Sequence, residues 1–326
     1  MSLVLNFLGI IFGALVIFIL AEIILKRTIN LAEHWGWSGT FIGLTILSIG
    51  TSLPEIFTDV IASIKILNDQ STYNTLSHLV LGTNIGSDIF QQNFIISLVA
   101  IVGVLTVTKK DLFKEMGGLI FATCLLWIFS WGGVITKFEG FVLVTTYIAY
   151  LVLIKSGSRS NKKRAKNHLT IKNIFSHSFL ISVSFLIMAL VTEFILNISQ
   201  DLIQQLNISA SFFGIIFLGI TAALPELSTS MIAVFKHRKE ISASVLIGSN
   251  ITNPLFAIGL GSMISSYSVP NVVLNYDLPV KIFSASLIYY FLWKHETLDK
   301  KKAALLIGLY IAYLLLRTSL FPVDVV

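Results

Sequence analysis

Two carboxylates stand directly behind prolines in apolar surroundings, Leu53-Pro54-Glu55 and Leu224-Pro225-Glu226, 171 residues apart. A carboxylate at membrane depth costs about 2.5–3.5 kcal/mol on insertion scales, so its retention there implies a use. The preceding proline removes an amide donor, breaks the helix and frees backbone carbonyls beside the acid. Paired broken segments at corresponding places in two halves point to the binding centre of a transporter.

The neighbouring residues extend the donor set. The first acid is preceded by Gly50-Thr51-Ser52, the second by Thr221-Ala222-Ala223. One span later come Gly86-Ser87-Asp88-Ile89-Phe90-Gln91 and Gly248-Ser249-Asn250-Ile251-Thr252-Asn253. On a helix Ser87 and Gln91 share a face, as do Ser249 and Asn253. Every candidate ligand is an oxygen, with no His or Cys beside it, which argues against zinc, copper or iron. Ca²⁺ accepts 6–8 oxygens in a flexible shell, whereas Mg²⁺ demands a tighter octahedron. Two ionised Glu neutralise one divalent cation; emptied of it, they need monovalent cations or protons. That is the physical basis of exchange.

These acids must be held by membrane-spanning elements. Hydrophobic residues make up 55% of 326 residues and charged ones 12%, with a mean hydropathy of +0.85. This excludes an ordinary soluble domain. A span needs about 20 apolar residues. Ten are expected, near Leu3–Leu25, Ser38–Ile66, Leu79–Leu105, Gly117–Val134, Phe138–Ile154, Phe179–Ile198, Phe212–Phe235, Ala243–Ile264, Pro279–Trp293 and Ala303–Leu320. The first reads as a retained helix rather than a signal peptide. Of the 23 Lys and Arg, all but Lys65, Lys137, Lys281 and Arg317 fall on alternate loops. The positive-inside rule then puts both termini on the non-cytoplasmic side. The basic stretch from Lys155 to Lys172 reads as a topogenic or headgroup-facing linker, not a nucleic-acid arm. The single Cys124 excludes an intrachain disulfide, and the six His are expected on solvated span ends and loops. Gly9 and Gly13 form a small-residue pair suited to close helix packing.

The chain repeats itself. Slid by 171 residues, Glu22 falls on Glu193, Ser38 on Ser209, Gly43 on Gly214, Ile49 on Ile220, Thr58 on Thr229 and Ala62 on Ala233. An offset of 162 puts Ile85-Gly86-Ser87 on Ile247-Gly248-Ser249 and Ile89 on Ile251. The expected organisation is an all-α polytopic membrane protein of two five-helix repeats with helices broken at the midplane. Residues 1–155 form the first repeat (central motif 43–105), 156–173 a basic cytoplasmic linker, and 174–326 the second repeat (motif 214–264). An odd number of spans per half inverts the second half in the membrane, the arrangement that permits alternating access.

With these motifs in view, the chain resembles the cation/calcium exchanger superfamily, which includes the sodium/calcium exchangers. The resemblance is close in spans two, three, seven and eight. It implies Glu55 and Glu226 as central calcium ligands, with Thr51 and Ser52 also serving a sodium site. It further implies that Ser87 and Ser249 bridge flanking sites and that the backbone carbonyl of Ser48 contributes. Gln91 and Asn253 occupy the family's central amide or acid positions.

There are departures from the family pattern. Ala222-Ala223 stand where the family often repeats Thr-Ser, and Thr221 is one residue too early to replace them. Asn253 stands where many sodium-coupled members carry Asp, and Gln91 is one methylene longer than the usual Asn, which resembles the proton-coupled branch. Asp59, four residues after Glu55, and Asp88 read either as proton-linked groups or as caps and buried hydrogen-bond partners. Glu22 and Glu193 read as structural partners or relay groups.

The leading expectation is therefore a secondary antiporter, not an enzyme, which expels Ca²⁺ against Na⁺ or H⁺. It works without a cofactor, in a bacterial inner or plasma membrane, with inorganic cations and the bilayer as partners and a monomer sufficient for transport. The alternatives are a Ca²⁺/H⁺ antiporter without sodium coupling, a passive cation channel, and an intramembrane hydrolase using the carboxylates as general acid and base. Hydroxyls and amides flanking both acids suit an ion cage better than a dyad activating one water. If the alanines weaken a sodium site, Ala222→Thr with Ala223→Ser is expected to steepen the sodium dependence of Ca²⁺ flux in vesicles. Unchanged dependence would detach the alanines from coupling.

Overall fold

A computed structural model of the chain describes residues 3–35, 46–103, 105–106, 109–157, 169–235, 239–321 and 324. Ser38 and Gly43 of the repeat, and the core of the basic linker, lie outside the described residues. The first half runs α1 (Leu3–His34), α2 (Ser48–Thr51), α3 (Leu53–Asn68), α4 (Tyr73–Phe90), α5 (Ile96–Val102), β1 (Leu105–Thr106), α6 (Lys109–Ser130), β2 (Val134–Ile135) and α7 (Lys137–Gly157). The second runs α8 (Ile171–Leu206), α9 (Ala210–Phe213), α10 (Gly219–Ala222), α11 (Leu224–Phe235), α12 (Lys239–Thr252), α13 (Ile258–Ser265), β3 (Tyr267–Ser268), α14 (Leu278–His295), β4 (Thr297–Leu298) and α15 (Lys300–Leu320).

Among the described residues seven helical runs are long and apolar enough to cross a membrane, so the protein is a helical polytopic membrane protein. Three expected segments are not among those seven: Phe138–Ile154 and Pro279–Trp293, helical as α7 and α14, and Ser38–Ile66, helical as α2 and α3 with its first residues outside the described ones. Large apolar side chains face outward on the peripheral helices, among them Leu8, Phe12 and Leu15 of α1, Leu186 and Leu190 of α8, and Ile311 and Leu315 of α15. An outer surface of this kind is suited to acyl chains rather than water.

Local features recur at the repeat spacing. The chain leaves helical geometry at Ser52 (φ −81°, ψ 9°) and again at Ala223 (φ −79°, ψ 0°), one residue before each Leu-Pro-Glu. The helix then restarts with Pro54 or Pro225 in its first turn, where a missing N–H costs nothing. A widened π turn at Gln91–Ile95 is matched by another at Asn253–Ala257. Such turns concentrate at functional sites because they rotate the side chains that follow. The short strands exchange between halves: β1 pairs antiparallel with β4, and β2 with β3.

Small residues set how closely the centre packs. A Cβ added at Gly82 or Gly86 of α4 would meet backbone atoms of Ser211 or Ile215 at 2.3 and 2.5 Å. Gly214 and Gly219 meet the backbone of α4 in return, at Leu79 and Ser87. Two elements thus touch backbone to backbone, as small residues allow in membranes. Gly9 and Gly13 of α1 receive Ile198 and Ile195 of α8, so this pair serves packing within the chain.

Candidate cation site

The helix breaks bring both acids into the interior. Glu55 and Glu226 are fully buried at the first turns of α3 and α11, where the helix-terminal amides favour negative charge. The two carboxyls are near enough to interact electrostatically, and Asp88 acts on both. Glu55 Oε1 accepts a 2.7 Å hydrogen bond from the Ser87 hydroxyl of α4. Its other oxygen and both oxygens of Glu226 have no hydrogen-bond partner among the described residues, nor does the Ser52 hydroxyl. Buried polar atoms are normally paired, so such a concentration of orphaned oxygens requires an explanation.

Gln91 joins the halves. Its Nε2 donates to Ser87 Oγ at 3.0 Å, while its Oε1 accepts from Ser249 Oγ at 2.5 Å and from Asn250 Nδ2 at 3.0 Å. Gln92 adds a bond from its Nε2 to Asn250 Oδ1 at 2.8 Å. The extra methylene of Gln91 lets one amide span both repeats. Asn253 is buried at the equivalent π turn; its Nδ2 donates to Asp88 Oδ1 at 2.8 Å, and its own Oδ1 is without a partner among the described residues.

The remaining expected residues divide. Thr51 is buried, and its hydroxyl bonds the Ser48 carbonyl at 3.3 Å, as does the Ser52 amide. That carbonyl, expected as a ligand, already accepts two long bonds, while the Ser48 hydroxyl meets Thr252 Oγ1 at 3.0 Å. Thr221 is half-buried and its hydroxyl bonds the carbonyls of Phe217 and Leu218, so it is satisfied by its own helix. Asp59 is fully buried, accepting from Asn84 Nδ2 at 2.6 Å and leaving Oδ1 without a partner. Glu22 and Glu193 are exposed on α1 and α8 and do not join the cluster.

Several residues depart from the sequence expectation. Lys281 and Arg317, left by the charge count on the non-cytoplasmic side, are fully buried in ion pairs. Lys281 Nζ lies 2.5 Å from Asp88 Oδ2, and Arg317 Nε lies 3.3 Å from Asp277 Oδ1, which also accepts from Tyr313 at 2.8 Å. His78, expected on the surface, is buried 3.3 Å from Asp324 Oδ2, and the buried His177 meets Arg27 at 3.2 Å. Burial opposes the charge on Asp324, but hydrogen bonds from His78 and Ser211 hold its carboxyl below the ordinary value. A cation inside a predicted span was the available signal for Lys281. His78 carried no such sign, because its partner lies some 250 residues away.

Among the described residues no three His, Cys, Asp or Glu side chains converge as a metal cage. A cation held here by the two Glu would therefore complete its shell with hydroxyl, amide and carbonyl oxygens. This donor set suits a hard cation.

The profile of the family described as sodium/calcium exchanger protein matches residues 5–155 and 176–319, most of both halves. The chain belongs to this family. It is 24% identical over 321 residues to inner membrane protein YrbG of Escherichia coli K12, covering 95% of this chain and 96% of that one. It is 22% identical to the sodium/calcium exchanger MaX1 of Methanosarcina acetivorans, covering 95% of this chain and 97% of that one. The solved structure of the sodium-calcium exchanger NCX_Mj superposes with a TM-score of 0.66 at 23% identity, covering 98% of this chain and all of that one. The fold is thus shared along the whole length.

The Gln91 bridge is open to test. Gln91→Leu removes two bonds between halves and one within the first half, and is expected to cost about 1–3 kcal/mol of stability. The cost is read as a lower thermal midpoint of the detergent-purified protein. An unchanged midpoint would show that the bridge does not hold the halves together.

Proposed function

We propose that this family member is a secondary antiporter that exchanges Ca²⁺ for Na⁺ or H⁺ around Glu55 and Glu226. The observation that carries this is the set of buried oxygens lacking partners: both of Glu226, one of Glu55, and those of Ser52 and Asn253. Two ionised glutamates in a low-dielectric interior repel each other unless a cation sits between them. Ca²⁺ supplies the matching charge and tolerates an irregular shell of carboxylate, hydroxyl and amide oxygens. Thr51, Ser87, Gln91 and Ser249 are the further candidate ligands, and a Ser48 carbonyl contact requires its 3.3 Å bonds to yield.

Alternating access is read from the repeats. We infer ten spans in two inverted five-helix halves, 1–155 and 174–326, joined by the basic linker 156–173. Matched helix breaks, matched π turns and the exchange of strands between halves support this reading. Inverted halves can open in turn to opposite sides of a shared centre. A small crevice lined by Ile17, Phe18, Pro54, Thr58, Thr221 and Pro225 lies between α1 and the two broken helices. The positive-inside distribution supports both termini facing away from the cytoplasm.

The counter-ion follows from charge. The alanines before Glu226 remove two hydroxyls that a flanking sodium site would use, and Asn253 adds no charge. This favours fewer monovalent ions per Ca²⁺ than a fully hydroxylated pair of motifs would take. Ca²⁺ flux into sealed vesicles under imposed Na⁺, K⁺ or pH gradients tests the reading. Flux is expected to follow one of these gradients and to be abolished by Glu55→Gln or Glu226→Gln. Flux indifferent to every gradient would instead mark a channel, and normal flux in either variant would remove that glutamate from the site.

A further inference from the structure

Asp88, like Asp59, is a further buried carboxylate near the two glutamates, and it differs from all three in having a cation of its own. Asp88 lies on α4 directly after Ser87, and Lys281 lies on α14; both are essentially inaccessible. The ammonium sits 2.5 Å from Asp88 Oδ2. The other oxygen, Oδ1, takes the Nδ2 of Asn253 at 2.8 Å. An amide with its NH₂ held by a carboxylate presents only its carbonyl elsewhere, and Asn253 Oδ1 has no partner among the described residues. Lys281 thus balances Asp88, and Asp88 turns Asn253 so that an oxygen remains for a cation.

The other half lacks the acid. At the repeat spacing of 162 residues Asn250 stands opposite Asp88. Asn250 is instead tied to Gln91 and Gln92 by neutral bonds. The neutral amide needs no ammonium, whereas Asp88 has one, as expected where a buried unpaired charge is strongly unfavourable.

Resting on the exchanger reading, we propose that Lys281 is a positioning residue that sets the exchange ratio. Its ammonium is a tethered monovalent cation on Asp88. With Lys281 in place, Asp88 draws no charge from solution, and one Ca²⁺ satisfies Glu55 and Glu226. Without it, Asp88 becomes a third carboxylate beside the site and needs one more monovalent cation in each cycle.

The test uses the full chain in sealed vesicles, measuring the counter-ion to Ca²⁺ ratio at which net flux vanishes under the gradient that drives the wild type. Lys281→Met is expected to raise that ratio by one monovalent ion per Ca²⁺. Lys281→Met combined with Asp88→Asn is expected to return it to the wild-type value. An active Lys281→Met with an unchanged ratio overturns the proposal. Should Lys281→Met alone be inactive, transport regained at the wild-type ratio in the double variant supports the proposal, and continued inactivity overturns it. A merely structural lysine would lower the rate without moving the ratio. An uncoupled wild type would count against the exchanger reading itself, a result distinct from an unchanged ratio in the variant.

Discussion

Two carboxylates buried together, with no internal cation paired to either among the described residues, form the constraint on which the rest of the structure depends. Two other deep acids have cations of their own, Asp88 with Lys281 and Asp277 with Arg317, each within 3.3 Å, while the buried Asp59 takes the neutral amide of Asn84. Among the described residues Glu55 and Glu226 share one close hydrogen bond, from the Ser87 hydroxyl, with the Thr51 hydroxyl set beside Glu226. Leaving an ionised group unpaired in a low-dielectric interior is strongly unfavourable. A protein that builds internal ion pairs elsewhere and omits one here leaves the balancing charge to come from outside.

The surrounding architecture serves that vacancy of charge. Prolines restart the helices at the two acids, so the helix-terminal amides lie beside them. Glycines on α4 and on the segment from 214 to 219 bring backbones into contact, which holds Ser87 near Glu55. The π turns place Gln91 and Asn253 at equivalent points, but the two amides act differently. Gln91 bridges hydroxyls and amides of both halves, whereas Asn253 is turned by a carboxylate. The repeat supplies the frame, and departures from it tune the site.

Much of this was legible in the sequence because repeated motifs carry their own alignment. The Leu-Pro-Glu copies, the Gly-Ser pairs and the hydropathy located the breaks, the two serines and the central acids, all of which are buried as a pair-related cluster. Of the residues that the resemblance names, the structure joins Glu55, Ser87, Gln91 and Ser249 in one hydrogen-bonded run. Legibility failed where a residue's role depends on a partner distant in sequence. Lys281 and Arg317 read as ordinary non-cytoplasmic charges because charge counting sees sign and position along the chain, not burial. His78 read as surface because nothing local reveals Asp324. Glu22 and Glu193 matched across the repeat yet are exposed, since sequence symmetry marks equivalent places on α1 and α8 without saying which way they face. Thr221 looked like a displaced ligand, but its own helix takes the hydroxyl.

The central claim is that the unpartnered oxygens of Glu55 and Glu226 form one divalent-cation site. Diffraction from crystals soaked in Ca²⁺ or its heavier analogue Sr²⁺, with anomalous data, tests it most directly. The account predicts a single strong peak within about 2.3–2.6 Å of a carboxylate oxygen from each glutamate. A peak bound elsewhere, or carboxylates that remain without a shared ion at saturating divalent cation, would contradict it.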